Sequence, residues 1–173
     1  PSILREWKEE NDPDYIMDNT KLPWIEIDGI EIPHEDIFEE ANHLLYTSCY
    51  TLHRPMSSGW LSLCIHGMSS VHTNCPEDYN LPDGAEYALS TWTDIAKFAP
   101  KTKQWIMDEV RYSPFSRVRF MAVLPGGWLG QHRDRDRITG VGATNVAINT
   151  PDGCKMVMGG WGTVPQPAGS MIK

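Results

Sequence analysis

The sequence predicts a mixed α+β fold, mainly β, with helices in the first two-thirds of the chain and a double-sheet barrel or jelly roll in the last third. Apolar residues recur at helical spacing in the early segments. After residue 115, short runs alternate apolar and polar residues, and the 14 Gly and 13 Pro are scattered between such runs along the chain. Short strands separated by frequent turn formers are typical of barrels and jelly rolls.

Length and charge indicate how the chain is organised. Its 173 residues suit one domain with a sizeable core. Residues 1–50 carry 13 acidic and 3 basic side chains, whereas the rest of the chain has a small positive excess. We expect residues 1–23 to form an acidic N-terminal arm and residues 24–173 to form a single jelly-roll domain.

The first two-thirds of the chain contain a predicted hairpin and several helices. Residues 24–32 alternate apolar and polar residues around Asp28-Gly29, which is typical of a hairpin turn. Residues 35–47 begin with acidic side chains and continue at helical spacing. The other elements predicted there are a strand, a short helix capped by Ser90 or Thr91 and a longer helix after Pro100: residues 60–67, 92–98 and 101–110.

The last third of the chain is predicted to be β-structure. Its alternating runs are punctuated by turns at Gly126 and at Pro151-Asp152-Gly153. The predicted strands are residues 117–125, a second strand entered through the Gly126 turn, and residues 144–149, 154–158 and 170–173.

The His132-Arg133-Asp134 segment carries the main chemical signal. In a strand, residues i and i+2 point to the same side, so His132 and Asp134 can present an imidazole nitrogen and a carboxylate oxygen to one point. A second His from a distant strand would complete the facial triad that holds Fe(II) with open coordination positions. The alternative is an exposed, charged strand end whose side chains form salt bridges with their neighbours.

Three segments carry a family resemblance. RVRFMAVLPGGWLGQHRDRD (117–136), TNVAINTPDGC (144–154) and PAGSMIK (167–173) resemble the aspartyl/asparaginyl β-hydroxylase-like branch of the iron(II)/2-oxoglutarate-dependent dioxygenases, in its marine phage and bacterial form. Weaker similarity extends the resemblance upstream to residue 59. It implies a double-stranded β-helix, the cupin-like jelly roll, with flanking N-terminal helices.

The resemblance also implies a metal and a co-substrate. His132 and Asp134 match the family's first two Fe(II) ligands, and 2-oxoglutarate would be the co-substrate. The third ligand, a His, and the Arg that holds 2-oxoglutarate would lie on strands beyond Lys173. We therefore expect the chain to be truncated before them, to bind iron weakly by itself and not to turn over 2-oxoglutarate.

Further residues are candidates for the same pocket. Asn145 falls on the strand where family members contact the co-substrate, with Asn149 on the same face, and Arg119 is suited to a dicarboxylate. The alternative for these three residues is a face turned to solvent. His66 and Trp128 are candidates for the substrate pocket. A competing zinc site would use four side chains: Cys64, His66, His72 and Cys75.

The expected activity is hydroxylation of an amino acid or of an Asp/Asn-type side chain in a peptide. The alternative is a non-catalytic jelly-roll module that has lost its metal. The net charge of −8 argues against nucleic acid as a partner. The sequence shows no apolar run long enough to span a membrane and no signal leader, and its four cysteines are too sparse for a disulfide scaffold. We therefore expect a cytoplasmic protein.

Overall fold

A computed structural model describes residues 24–47, 50–52, 57–67, 90–110, 117–132 and 143–173. Over these residues the fold is mixed α+β, with two α-helices, one 3-10 helix and eight strands in three open sheets. The predicted α+β class is confirmed, and the jelly roll within that class stays a prediction. The described residues divide into two compact units, residues 36–132 and residues 24–35 with 143–173.

The unit of residues 36–132 is built around one central strand. Its elements in chain order are α1 (His34–Thr47, which begins just before the unit), β1 (Thr51–Leu52), β2 (Ser58–Gly67), β3 (Thr91–Trp92), a 3-10 helix (Asp94–Phe98), α2 (Pro100–Glu109) and β4 (Val118–Trp128). β1 and β3 pair with one edge of β2, and β4 pairs with the other, all antiparallel. The middle of β2 is consequently buried from Ser62 to His66.

The helices follow the predicted apolar spacing closely. α1 buries Ile37, Ala41 and Leu44, which lie on one face because they are three or four residues apart. α2 buries Ile106, whereas its Trp105 is only half-buried. The predicted short helix is the 3-10 helix, and the residues expected to cap it form part of β3 or precede it. Within the described ranges, no helix has the length and apolar character needed to cross a membrane.

The N-terminus of α2 is capped by a side chain from α1. One carboxylate oxygen of Glu40 accepts the backbone N–H of Lys101 at 2.8 Å. The other accepts the N–H and the hydroxyl of Thr102 at 2.9 and 2.6 Å. Ala99, the residue before the helix, has no side chain that can do this. The first N–H groups of a helix lack partners within it, so Glu40 both satisfies them and ties the two helices together.

An extra residue interrupts β2 between Cys64 and His66, where the pairing with β4 shifts by one position. Ile65 is the additional residue. The Thr93 hydroxyl lies 3.0 Å from the Cys64 carbonyl oxygen and 3.3 Å from that of Ile65, and the Thr93 N–H donates to the Ile65 oxygen at 3.0 Å. Thr93 therefore satisfies the carbonyl groups that a regular ladder would have paired.

A larger bulge replaces the predicted turn at Gly126. The prediction that a strand ends at Pro125 is wrong, because β4 continues through Gly126 to Trp128. Residues 124–127 of β4 oppose Gly59 alone, so the strand bends outward and then rejoins the ladder. The Pro-Gly pair supplies the bend, and Gly126 has a φ of 75°. Continued pairing with β2 beyond the bend prevents a chain reversal.

The second unit has two small sheets. Its strands are β5 (Asn145–Ala147), β6 (Met156–Met158), β7 (Gly162–Val164) and β8 (Ser170–Ile172). β5 pairs antiparallel with β8, and β6 with β7. β7 lies between the strands predicted at residues 154–158 and 170–173, where the sequence predicted no strand. The Pro151 turn is confirmed by the Cys154 N–H, which donates to the Pro151 carbonyl at 3.0 Å.

The predicted hairpin of residues 24–32 is wrong. Its first arm pairs with the far end of the chain, through hydrogen bonds in both directions between Ile25 and Lys173 at 2.7 and 2.9 Å. The Ile27 N–H donates to the Met171 carbonyl at 2.9 Å. Ile25 and Met171 are both buried, so pairing with β8 removes more apolar surface from water than the half-exposed second arm offers. Gly29 keeps a positive φ of 82° without forming the hairpin.

Replacing Glu40 by Ala is expected to lower the free energy of unfolding by about 2 kcal/mol, because three donors lose a charged acceptor. The control is Glu39→Ala, which removes an exposed carboxylate from the same helix and should cost no more than about 0.5 kcal/mol. Urea denaturation followed by circular dichroism measures both. Equal losses in the two variants would contradict the capping role.

Gly127→Ala tests the bulge. A Cβ at Gly127 would lie 2.7 Å from the Ser58 carbonyl oxygen and 2.8 Å from that of Leu124, and both are backbone atoms. We expect a loss of about 3 kcal/mol in unfolding free energy. Gly126→Ala meets no atom within 4 Å and should cost only about 1 kcal/mol for its positive φ. A Gly127 variant no less stable than the Gly126 variant in the same urea titration would refute the close approach.

Candidate functional site

His132 lies four residues beyond the end of β4, and its side chain is exposed. Its Nδ1 lies 2.8 Å from the Gly130 carbonyl oxygen. A carbonyl oxygen only accepts hydrogen bonds, so Nδ1 must carry the proton. In the neutral ring the lone pair is then on Nε2. A metal-binding His commonly has this arrangement, in which one ring nitrogen donates to a backbone carbonyl and the other binds the metal.

Two residues of the β2 region hold the segment that carries His132. The Trp60 ring lies 5.4 Å from the His132 ring, centre to centre, at a tilt of 34°. The hydroxyl oxygen of Ser57 accepts the Gly130 N–H at 3.3 Å. Trp60 and Ser57 are themselves buried. The chain after β4 therefore folds back over the start of β2, and His132 rests on a fixed surface.

The other predicted metal ligand, Asp134, lies outside the described residues, as do His72 and Cys75 of the competing zinc site. In the part of the chain that the structure describes, no three His, Cys, Asp or Glu side chains are grouped so that they could hold a metal ion. His132, the described half of the predicted iron pair, has its Nδ1 bonded to the Gly130 carbonyl, which leaves the lone pair of the neutral ring on Nε2.

Arg119 lies beside a buried thiol. It pairs with Cys64 across the β2–β4 ladder, and alternation along β2 puts it on the face that carries Trp60. The Cys64 Sγ lies 3.1 Å from the His66 carbonyl oxygen, within reach for donation. Burial raises the pKa of the Cys64 thiol, and the positive charges of Arg119 and Arg117 oppose that shift without cancelling it. Two guanidinium groups are thus concentrated at this end of the ladder.

His66 is a core residue of the sheet. It is buried, and its ring meets the Trp92 ring edge-on, with centres 4.9 Å apart. The Lys103 ammonium lies 5.3 Å from the centre of the Trp92 ring. His66 therefore packs in the interior of β2, with an aromatic neighbour on β3. Trp128, the other predicted substrate-pocket residue, is 56% exposed at the end of β4.

The two predicted Asn contacts are exposed. Asn145 is the first residue of β5 and pairs with Ile172. Asn149 lies beyond the end of β5 at Ala147, so the strand alternation that predicted a shared face does not extend to it. Each is accessible to a ligand from solvent.

Sequence reasoning did not find the residues that hold His132. Neither Ser57 nor Trp60 is among the candidate residues that the sequence predicted. Their contacts with the segment after β4 depend on the pairing of β2 with β4 and on the bulge at residues 124–127. The local sequence carries no signal for such contacts, since they join residues about 70 positions apart.

Comparison of the chain with protein-family models, with curated proteins and with solved structures finds no match.

The two described cysteines are expected to differ sharply in reactivity. Cys64 is buried and its raised pKa leaves little thiolate, the nucleophilic form, whereas Cys154 is exposed. We expect iodoacetamide to alkylate Cys154 at least about 100-fold faster than Cys64 near pH 8. Peptide mass spectrometry after timed quenching measures both rates in one sample. Similar alkylation rates for Cys154 and Cys64 in the folded protein would contradict the burial of Cys64. Alkylation in urea is the control, since unfolding should remove most of the difference.

Proposed function

We propose that this protein is an iron(II)/2-oxoglutarate-dependent dioxygenase that hydroxylates an amino acid or an Asp/Asn-type side chain. The observation that supports the proposal is the Nδ1 hydrogen bond of His132 to the Gly130 carbonyl, which places the lone pair of the neutral ring on Nε2. This bond falls at the position that the resemblance assigns to the first iron ligand. We also propose that the fold is a jelly roll and that the antiparallel strand pairs described above are parts of it.

The roles of the residues follow from their chemistry. His132 through Nε2 and Asp134 through its carboxylate would hold the iron, which when bound with 2-oxoglutarate and O2 supplies the oxidising power for C–H hydroxylation. The Gly130 carbonyl keeps the His132 proton on Nδ1, so that a metal at Nε2 would find a lone pair and not an N–H group.

Cationic and polar groups suit the co-substrate. Arg119 is half-buried, and a guanidinium can bind a carboxylate through two parallel hydrogen bonds. Asn145 and Asn149 offer exposed amide groups that can both donate and accept. The proposal assigns Arg119 to 2-oxoglutarate and assigns Trp128, with its exposed indole, to the substrate, while the co-substrate contacts of Asn145 and Asn149 stay predictions. His66 would influence the substrate pocket only through the packing of β2.

His132→Ala is expected to weaken Fe(II) binding at least about 10-fold, since one protein ligand is removed, and Asp134→Ala should weaken it similarly. Anaerobic equilibrium dialysis against Fe(II) measures the affinity of each variant. The control is His43→Ala, which removes an exposed His on α1 and should leave binding unchanged. Unchanged affinity in His132→Ala would overturn the site.

A second titration tests the function. 2-Oxoglutarate should bind the Fe(II)-loaded protein measurably more tightly than the metal-free protein, because it chelates the metal. Calorimetry under nitrogen measures the difference, and His132→Ala should abolish it. Fe(II) binding through His132 without any such difference would favour the non-catalytic module.

A further inference from the structure

We propose that Trp60 and Ser57 are positioning residues that hold the His132 imidazole in its metal-binding tautomer and orientation before any metal arrives. The inference rests on the proposed function for its purpose, while the orientation itself is testable in the metal-free protein. Trp60 and Ser57 both lie within residues 57–132, and each acts on His132 by a different route.

Trp60 acts through the ring face. It is only 6% exposed and lies on β2, the strand paired on both edges, so its indole has little freedom to move. The 5.4 Å separation from the His132 ring is in the range of attractive aromatic pairs. The His132 side chain is exposed to solvent, and this ring contact restricts its rotation.

Ser57 acts through the backbone. Its buried hydroxyl oxygen accepts the Gly130 N–H, and the carbonyl of the same Gly130 faces Nδ1 of His132. Residue 130 is therefore held on its N–H side and presents its carbonyl on the other. If the Ser57 contact is removed, the carbonyl that selects the His132 tautomer loses its anchor.

The two contacts together pre-organise the ligand. A metal that binds a fixed imidazole does not have to order it, so less of the binding free energy is lost to conformational entropy. The Gly130 carbonyl keeps the lone pair on Nε2, whereas a released imidazole favours the opposite tautomer, with its proton on Nε2. Partners of this kind around metal ligands typically change affinity by about 10- to 100-fold.

The test combines a metal-free readout with metal affinity. Long-range ¹H–¹⁵N NMR near pH 8, where an ordinary His is about neutral, reports which ring nitrogen of His132 carries the proton. The ring protons of His132 should also show a ring-current shift from Trp60. Fe(II) affinity is then measured on the same samples by anaerobic dialysis.

Four variants separate positioning from general stability. Trp60→Phe keeps an aromatic face and should retain the Nδ1–H tautomer, with Fe(II) affinity within about threefold of wild type. Trp60→Leu and Ser57→Ala should each shift the tautomer towards Nε2–H and weaken Fe(II) binding about 10-fold. Trp161→Leu, which removes an exposed Trp from the other unit, is the matched control and should change neither quantity.

The outcomes are distinct. A wild-type tautomer in Ser57→Ala and in folded Trp60→Leu would overturn the positioning role, and so would Nε2–H as the main tautomer of the wild type. Dispersed amide spectra establish folding, and if Trp60→Leu unfolds, Ser57→Ala decides. Fe(II) affinity that does not respond to His132→Ala would overturn the proposed function, while the tautomer measurements would still decide whether these residues orient His132.

Discussion

Hydrogen bonding on both edges of β2 is the constraint on which the chemistry of residues 36–132 depends. A strand held by β1 and β3 on one side and by β4 on the other cannot slide without breaking every pair at once. Its register brings Arg119 beside Cys64 and places Trp60 where the chain after β4 returns. The apolar burial of Leu63 and Ile65 strengthens this arrangement by about 2 kcal/mol for each side chain.

Elements whose cause is local were predictable. The spacing of Ile37, Ala41 and Leu44 predicted α1, and the strand predicted over residues 60–67 forms most of β2. The turn signal at Asp28-Gly29 led to a wrong hairpin prediction, because it shows that the chain bends easily there but not which strand residues 24–28 pair with. Residues 25–27 pair with β8, whose buried side chains lie far away in the sequence and leave no trace in the local pattern.

The candidate site divides in the same way. The spacing of His132 and Asp134 is a local signal, and the sequence reveals it directly. The support for His132 comes from Trp60 and Ser57, which contact its segment only because of the register of β2 with β4 and the bulge at residues 124–127. The Pro-Gly pair in that bulge would equally suit a turn, so the sequence does not reveal the bulge. The Glu40 cap is similar, because its partners are more than 60 positions away on another helix. Residues that position others act across such distances, so single-sequence patterns reveal candidate ligands more readily than the residues that support them.

The pairing of Ile25 with Lys173 has a consequence for how the chain reaches its native state. The two residues are about 150 positions apart, and closing a loop of that length costs about 4 kcal/mol of chain entropy before any contact is gained. During synthesis, residues 24–28 must remain without their partner strand until residues 170–173 have left the ribosome. The pairing within residues 36–132 faces no such delay. The two units should therefore acquire structure in sequence, with the one that carries His132 forming first.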